Sequence, residues 1–319
     1  MQLSIIIVSY NTKKLTLRTL ASIEASLEKD SPLKKNLEVI VVDNRSSDGS
    51  LEAVKKFKSD FFNLKAIDGK GNLGFGKANN LGFKSATGQY ILFLNSDTLV
   101  QAGTLEKMVT YYQDHQNEKK KLGFLAAQLL NVDGSWQAQG GDKPSLLTIF
   151  NTMFFVDDIP IIGKFLPAVQ HTGRRFRASE VEKKAVIRKD WVGGTAIMIY
   201  RDIFENTDGF DPEIFLYGED QEYCYRLQKL GYSHYILSVA RVTHVGSASS
   251  SSARAICGEI AGYFYFFRKY KSAAQLTYLK AMLWLAMMLR YVIFSLKKDE
   301  IKTKIYEQAV LQVEKEPAA

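Results

Sequence analysis

The chain has 319 residues, 46% of them hydrophobic and 12% aromatic, which excludes a disordered protein and predicts a large folded core. This length fits one large α/β domain with additions, or two domains. The two cysteines, Cys224 and Cys257, form neither a disulfide framework nor a CxxC metal motif, and so they suit a reducing compartment. No basic segment precedes the apolar run that begins at Ile5, so we expect no signal peptide and a cytoplasmic location.

The net charge of +8 is concentrated near the C-terminus. Between Arg254 and Lys298 there are eight Lys or Arg residues and one acid, Glu259, so this segment alone carries +7. A basic segment that is also rich in apolar side chains predicts an acidic partner surface, either anionic lipid or nucleic acid.

Strand and helix patterns alternate along the first part of the chain, which predicts an α/β fold with a mostly parallel sheet and right-handed crossovers. The predicted strands cover residues 3–8, 37–42, 63–67 and 90–94. The predicted helices cover 17–27, the stretch from Asp48 or Ser50 to Phe57, the stretch that follows the glycine-rich 71–82 connection, and 104–112.

The pattern changes beyond Leu122, where strands and helices no longer alternate regularly. We expect strands at 124–130, 191–200 and 235–242, a hairpin turn at 131–135, a helix or lid at 146–155, and a helix from Glu219 to Leu230. We expect the polar stretch 171–189 to be mobile. Gly193 and Gly194 would allow a ligand or another backbone to approach closely.

Polar residues follow several of the predicted strands: Ser9 and Tyr10, Asp43, and Asp97. Because ligands of open α/β sheets bind outside the carboxyl ends of the strands, we expect these side chains to gather at one ligand-binding edge. An isolated Asn-Ser-Asp tripeptide would be an ordinary turn. Its position directly after a buried strand favours a ligand site at Asp97.

Two further positions could carry chemistry. His244 follows the last predicted strand, and with Asp97 it could bind a divalent ion whose other ligands are phosphate oxygens. The alternative for His244 is a hydrogen-bonded histidine at a strand end. The pair Glu219-Asp220 heads a predicted helix, where a carboxylate is an ordinary cap, and Asp220 could instead act as a general base.

The glycine-rich stretch 71–77 fits neither common phosphate-binding pattern. It lacks the Gly-Lys-Ser/Thr ending of nucleotide triphosphatases, and its glycines are not spaced as in dinucleotide-binding loops. The sequence therefore argues against an NTPase and against a dehydrogenase.

Eight short motifs occur in a fixed order between about residues 3 and 245. They are at 4–11 (SIIIVSYN), 41–49 (VVDNRSSDG), 72–80 (NLGFGKANN), 95–97 (NSD), 191–195 (WVGGT), 209–211 (GFD), 218–220 (GED) and 243–244 (TH). Together they resemble the inverting GT-A glycosyltransferases of family 2, and especially the rhamnosyltransferase-like branch of that family.

The resemblance implies a role for each matched residue. Asp97 keeps the last acid of the family's Asp-x-Asp motif and would bind Mg²⁺ or Mn²⁺ together with His244, while Asp220 would be the general base. The donor nucleotide sugar would lie against Ser9, Tyr10, Asp43, Asn72, Asn79, Asn95, Ser96 and Gly194, with Asp43 on the base or ribose.

The implied reaction moves a sugar with inversion, most simply L-rhamnose from dTDP-rhamnose to a lipid-linked glycan acceptor in cell-surface polysaccharide synthesis. Within the same family, a UDP-sugar-dependent transferase is the alternative. A non-catalytic nucleotide-sugar-binding protein recruited to membranes is the alternative from another class. The implied organisation is a GT-A domain over 1–246, with a nucleotide-sugar half at 1–127 and an acceptor half at 128–246. A basic helical region over 253–319 would follow.

The apolar run after Lys280 is interrupted by Arg290, whereas a membrane-spanning helix needs about 20 apolar residues with few charges. We therefore expect residues 256–298 to form helices lying on an anionic membrane, at the inner face of the plasma membrane. The alternatives are a buried helix pair and a homodimer interface. Nucleic acid is disfavoured as a partner because no known binding module is present.

Overall fold

The computed structural model describes residues 1–115, 121–159, 161, 163, 165–171, 183–246 and 252–317, and their centre is a nine-stranded sheet. The strands are β1 (Leu3–Ser9), β2 (Leu37–Asp43), β3 (Asn63–Asp68), β4 (Tyr90–Asn95), β5 (Thr98–Val100), β6 (Lys121–Leu130), β7 (Val186–Lys189), β8 (Ala196–Tyr200) and β9 (Tyr232–His244). Their order across the sheet is β3-β2-β1-β4-β8-β6-β9-β5, with β7 also paired to β9.

Ten helices accompany these strands in the described ranges. They are α1 (Lys13–Ser26), α2 (Ser50–Lys56), α3 (Gly74–Phe83), α4 (Thr104–His115), α5 (Leu146–Met153), α6 (Arg201–Asn206), α7 (Glu219–Lys229), α8 (Ala253–Tyr270), α9 (Ala273–Leu296) and α10 (Glu300–Lys315). A short 3-10 turn covers Val156–Asp158.

The predicted parallel half is confirmed. Strand β1 lies between β2 and β4 in parallel register, with Leu3 opposite both Leu37 and Tyr90. Six of the seven β1 residues and all seven of β2 are buried, because helices cover both faces of the sheet. Residues that follow these strands therefore meet at one edge.

The second half of the sheet contains antiparallel strand pairs and is therefore not a simple continuation of the parallel half. Strand β8 runs antiparallel to both of its neighbours, β4 and β6, and β5 runs antiparallel to β9. The strand predicted at 191–200 begins only at Ala196. The reason lies in Trp191, whose indole N–H donates to the Val169 carbonyl at 2.7 Å and whose backbone pairs only with Gly141.

Part of the stretch expected to be mobile is ordered. Residues 186–189 form β7, which runs antiparallel to β9 with Ile187 opposite Ile236. Ile187 is buried, so an apolar contact fixes a segment that its polar composition did not suggest. Residues 172–182 and most of the serine-rich stretch before α8 lie outside the described residues.

Three apolar clusters hold the molecule together. One lies on the sheet face covered by α1 and α4, and the second lies on the face covered by α3, α6 and α7. The third joins α5 to the C-terminal helices α8, α9 and α10, around Phe264, Phe267 and Leu283. Lys269 of α8 further ties this bundle to the sheet domain, since its ammonium binds Asp211 and, at 2.9 Å, Glu222.

Candidate active site

A cavity of about 530 Å³ opens beyond the carboxyl end of β4, at the edge of the sheet where ligands were expected. Five of the residues selected from the sequence line it: Asn95, Asp97, Gly194, Asp220 and His244. The rest of its wall includes Phe75, Gln137, Gln139, Gly140, Gln170, Trp191, Gly193, Tyr217 and Glu219. Asp97, Asp220 and His244, which are far apart in sequence, therefore line one cavity.

Asp97 and His244 meet because β5 pairs with the end of β9. Thr98 lies opposite His244 in that pairing, and His244 Nε2 lies 3.4 Å from Asp97 Oδ1. His244 Nδ1 lies 3.2 Å from Gln137 Oε1. With the carboxamide oxygen of Gln137 as acceptor, Nδ1 donates this hydrogen bond, and a metal ion between the two side chains would take the place of a proton on Nε2.

These two side chains fit a divalent ion. The donor set is one carboxylate and one imidazole nitrogen. The imidazole ring is oriented by a hydrogen bond at its other nitrogen, as is usual for metal-binding histidines. No group of three His, Cys, Asp or Glu side chains suited to a metal occurs in the described ranges. Oxygens from a bound substrate would therefore have to complete the coordination shell.

Asp220 is the second residue of α7, and two backbone amides hold its carboxylate. Gly194 N–H donates to Oδ2 at 3.0 Å, and Gln221 N–H donates to Oδ1 at 2.8 Å. Burial raises the pKa of Asp220 above its usual range, whereas these two N–H donors favour the charged form. Asp220 is thus a fixed carboxylate at the cavity wall, aimed by Gly194.

Sequence reasoning singled out Glu219 and Asp220 as a pair but gave a chemical role only to Asp220, and the structure shows that Glu219 also lines the cavity. Its side chain is 6% exposed, and its Oε2 atom is buried without a hydrogen-bond partner. Burial and the neighbouring Asp220 raise the pKa of Glu219 to about 8. The adjacency of two acids in the GED motif was the sequence signal that could have identified it.

Helix α8 supports the turn that carries these acids. Tyr217 and Gly218 have φ angles of 69° and 97°, and they pack against the backbone of α8 at Gly258 and Gly262. A Cβ atom on Gly262 would lie 2.7 Å from the Tyr217 carbonyl oxygen. The close approach of two backbones therefore requires glycine here.

Replacing Gly262 by alanine is expected to displace the Tyr217–Gly218 turn, because neither backbone can move away cheaply. We expect a loss of roughly 1–3 kcal/mol in the free energy of unfolding, the usual cost of overpacking. Denaturant unfolding of the full chain measures it, with Ala261→Ser on the same helix as the control. Equal stability of the two variants would contradict this account.

The other predicted donor-site residues lie outside the wall of this cavity, either at neighbouring strand ends or in and just before helix α3. Asp43 is buried, its Oδ2 accepts the Ser46 N–H, and its Oδ1 has no partner, as a ligand-binding carboxylate would. Tyr10 is 40% exposed at the edge. Ser9 is buried beneath it, 3.1 Å from Thr12 Oγ1.

The remaining three make local contacts. Ser96 Oγ lies 3.0 Å from Thr12 Oγ1, and the Asn72 side chain accepts the Gly74 N–H at 3.3 Å. Asn79 is buried and donates to the Phe75 carbonyl of its own helix, as an ordinary residue of a helix interior does. These contacts neither use nor exclude a nucleotide.

The family profile and the two relatives that we compare with this chain are all those of glycosyltransferases. Residues 4–118 match the profile of glycosyl transferase family 2. A 119-residue stretch is 33% identical to the poly(ribitol-phosphate) beta-N-acetylglucosaminyltransferase TarS of Staphylococcus aureus, covering 37% of this chain but only 20% of TarS. A longer match of 255 residues is 25% identical to the N-acetylglucosaminyl-diphospho-decaprenol L-rhamnosyltransferase of Mycobacterium tuberculosis, covering 76% of this chain and 75% of the relative.

Solved structures share the fold. The mannosyltransferase PcManGT from Pyrobaculum calidifontis, in complex with GDP-Man and Mn²⁺, superposes with a TM-score of 0.57 at 17% identity, covering 99% of this chain and 86% of that one. S. aureus TarS 1–349 in complex with UDP-GlcNAc superposes with a TM-score of 0.54 at 18% identity, covering 98% and 92%. The expected fold class, a mostly parallel α/β sheet of GT-A type with C-terminal helices, is thereby confirmed.

Proposed function

We propose, on the premise that residues 4–118 match the profile of glycosyl transferase family 2, that this chain transfers a sugar, with inversion, from a nucleotide diphosphate donor to a hydroxyl group of a cell-surface glycan acceptor. The observation that carries the proposal is the shared cavity. Asp97, His244 and Asp220, which are up to 147 residues apart in sequence, line it together.

Asp220 is the general base of the proposed reaction. Its carboxylate takes the proton of the acceptor hydroxyl as that oxygen attacks the anomeric carbon of the donor sugar. The bond from the anomeric carbon to the diphosphate breaks on the opposite face, so one displacement inverts the configuration and releases the nucleoside diphosphate. The amides of Gly194 and Gln221 keep the base in place.

Asp97 and His244 would hold Mg²⁺ or Mn²⁺. When bound, such an ion neutralises the negative charge that develops on the leaving diphosphate. Gln137 fixes the tautomer of His244 for this purpose, and Asn95 adds a neutral oxygen ligand or hydrogen-bond donor to the same wall.

L-rhamnose from dTDP-rhamnose is the donor we favour, with a lipid-linked glycan as acceptor. Support comes from two relatives that each match about three quarters of this chain at 25% identity: the mycobacterial enzyme named above and the rhamnosyltransferase WbbL of Escherichia coli K12. A UDP-sugar donor is the second candidate, favoured by the 33% identity to TarS over a shorter stretch.

Ligand-dependent thermal stability separates these donors. A ligand that binds only the native state raises its stability with the logarithm of ligand concentration over Kd. We expect dTDP with Mn²⁺ to raise the Tm more than UDP or GDP with Mn²⁺, and transfer from dTDP-rhamnose to N-acetylglucosaminyl-diphospho-decaprenol to follow. Stabilisation without release of nucleotide from any donor would instead favour a non-catalytic binding protein.

The C-terminal bundle presents an apolar surface that we assign to an anionic membrane. Leu285 and Leu289 of α9 are 55% and 44% exposed, and Leu147 and Phe150 of α5 continue the same apolar surface, which includes a groove shared by the two helices. Helix α9 is long and apolar enough to cross a bilayer, although it packs against α8 and α10. Lys297, Lys298 and Lys302 lie beyond its end, where they would meet anionic head groups.

Replacing Leu285 and Leu289 together by glutamine is expected to weaken binding to vesicles that contain anionic lipid about tenfold or more, since each buried apolar side chain contributes roughly 1.5–3 kcal/mol. Co-sedimentation at low salt measures it, with the exposed Val132→Gln as control. Wild-type chain that stays in the supernatant as a dimer would identify the surface as a subunit interface.

A further inference from the structure

Glu219 is an acid that the proposed mechanism leaves without a role. It is the first residue of α7, lines the cavity beside Asp220 and is 6% exposed. A buried carboxyl oxygen with no partner, such as its Oε2, is costly unless a ligand or a proton satisfies it. Because Glu219 lines the cavity but Oε2 itself is buried, a bound substrate could satisfy this oxygen once the side chain turns towards the cavity.

The two adjacent acids have different surroundings. Asp220 accepts one backbone N–H on each carboxylate oxygen, which favours its charged form. Glu219 leaves Oε2 bare, and only the backbone amides at positions 217 and 219 favour its charged form. Environments that separate the ionisation of two neighbouring carboxyls assign one as the base and the other as the acid.

The charged groups around Glu219 do not reverse this assignment. On its own helix it faces Asp220, and on the preceding turn it faces Tyr217. From α8, Glu259 and Arg254 act on Tyr217, and Arg290 of α9 acts on Glu259. No cation of the described chain forms a salt bridge with Glu219.

We propose that Glu219 binds the acceptor sugar as a neutral carboxylic acid, donating a hydrogen bond to a sugar hydroxyl group beside the one that Asp220 deprotonates. This role rests on the transferase function proposed above. Turned towards the cavity, the neutral acid supplies a hydrogen-bond donor in place of a buried unpaired oxygen, and it adds no second negative charge next to the base. The pKa of about 8 supports this state at neutral pH.

The protonation state can be measured without any substrate. In the full chain labelled with ¹³C-glutamate at the side-chain carboxyl carbon, one signal is expected to titrate near pH 8 and to be missing from the Glu219→Gln variant. The thermal unfolding of the Glu219→Gln variant should match that of the wild type, which shows that the variant is folded. Titration of the Glu219 signal near the ordinary value of 4.5 would overturn the proposal.

Kinetics test the contact with the acceptor. As pH rises through about 8, Glu219 loses its proton, so the wild-type acceptor KM should rise. In Glu219→Gln, which keeps a neutral donor, the acceptor KM should be severalfold higher at pH 7 but no longer rise with pH. In Glu219→Ala the acceptor KM should rise about tenfold or more, with a smaller change in kcat.

The exposed Glu213→Gln is the matched control and should keep the wild-type pH profile. The probe is N-acetylglucosaminyl-diphospho-decaprenol. An alkaline rise in KM that persists in Glu219→Gln contradicts the proposal. If this acceptor is never glycosylated, the proposed function fails and the sugar contact with it, whereas the carboxyl titration still decides whether Glu219 is neutral.

Discussion

Asp220→Asn is expected to lower the rate of sugar transfer by about 10²- to 10⁴-fold, the usual contribution of a general base. The carboxamide keeps the size of the side chain but cannot take the acceptor proton. It can still accept one of the two amide hydrogen bonds from Gly194 and Gln221, so the turn should stay in place. The measurement is the initial rate of nucleotide release at saturating concentrations of donor and acceptor.

Two comparisons isolate the effect on chemistry. Asp202→Asn, on the exposed surface of α6, removes the same charge away from the cavity and should leave the rate unchanged. Nucleotide binding by Asp220→Asn should also be close to wild type, because the residues expected to hold the nucleotide, Ser9, Tyr10 and Asp43, lie outside the wall of this cavity. Full transfer activity in Asp220→Asn would remove this residue from the mechanism.

Asp97→Asn is expected to lower transfer by about a hundredfold or more and to abolish the extra thermal stabilisation that Mn²⁺ gives in the presence of nucleotide. The reason is that Asp97 is the one carboxylate within reach of His244 in the described ranges, and charge neutralisation by a metal is worth several kcal/mol in a transition state. Thermal unfolding with nucleotide, with and without Mn²⁺, gives the readout that does not depend on turnover.

Asn95→Asp provides the reciprocal test. Asn95 lines the same cavity, so a carboxylate there adds a second hard oxygen ligand and should lower the Mn²⁺ concentration needed for half-maximal stabilisation. If Mn²⁺ stabilises wild type and Asp97→Asn equally, the ion binds elsewhere and the assignment of Asp97 as a ligand is wrong.

The attachment of α8 to the active site was not visible in the sequence. The basic composition of residues 254–298 suggested a region separate from the catalytic domain, bound to lipid. The structure adds that Gly258 and Gly262 of α8 pack against the turn before Asp220. Contacts between glycines leave no hydrophobic periodicity, so only the folded backbone shows them.

The burial of Glu219 is a second feature that the sequence did not reveal. Its place at the start of a helix was predicted, and a capping role was a sufficient explanation of that place. Its burial and its unpaired oxygen depend on how α7 meets the cavity wall. A sequence pattern records which residue types are present but not which of their atoms are satisfied.

The sequence alone determined the parallel half of the sheet, because apolar runs of strand length alternate with amphipathic helices and each run ends in a polar residue. It also determined the candidates Asp97, Asp220 and His244 through their motifs. Only the tertiary structure decided that Asp97 and His244 touch. Their contact depends on the three-residue strand β5, too short to leave a pattern, which pairs antiparallel with β9 and sets Thr98 opposite His244.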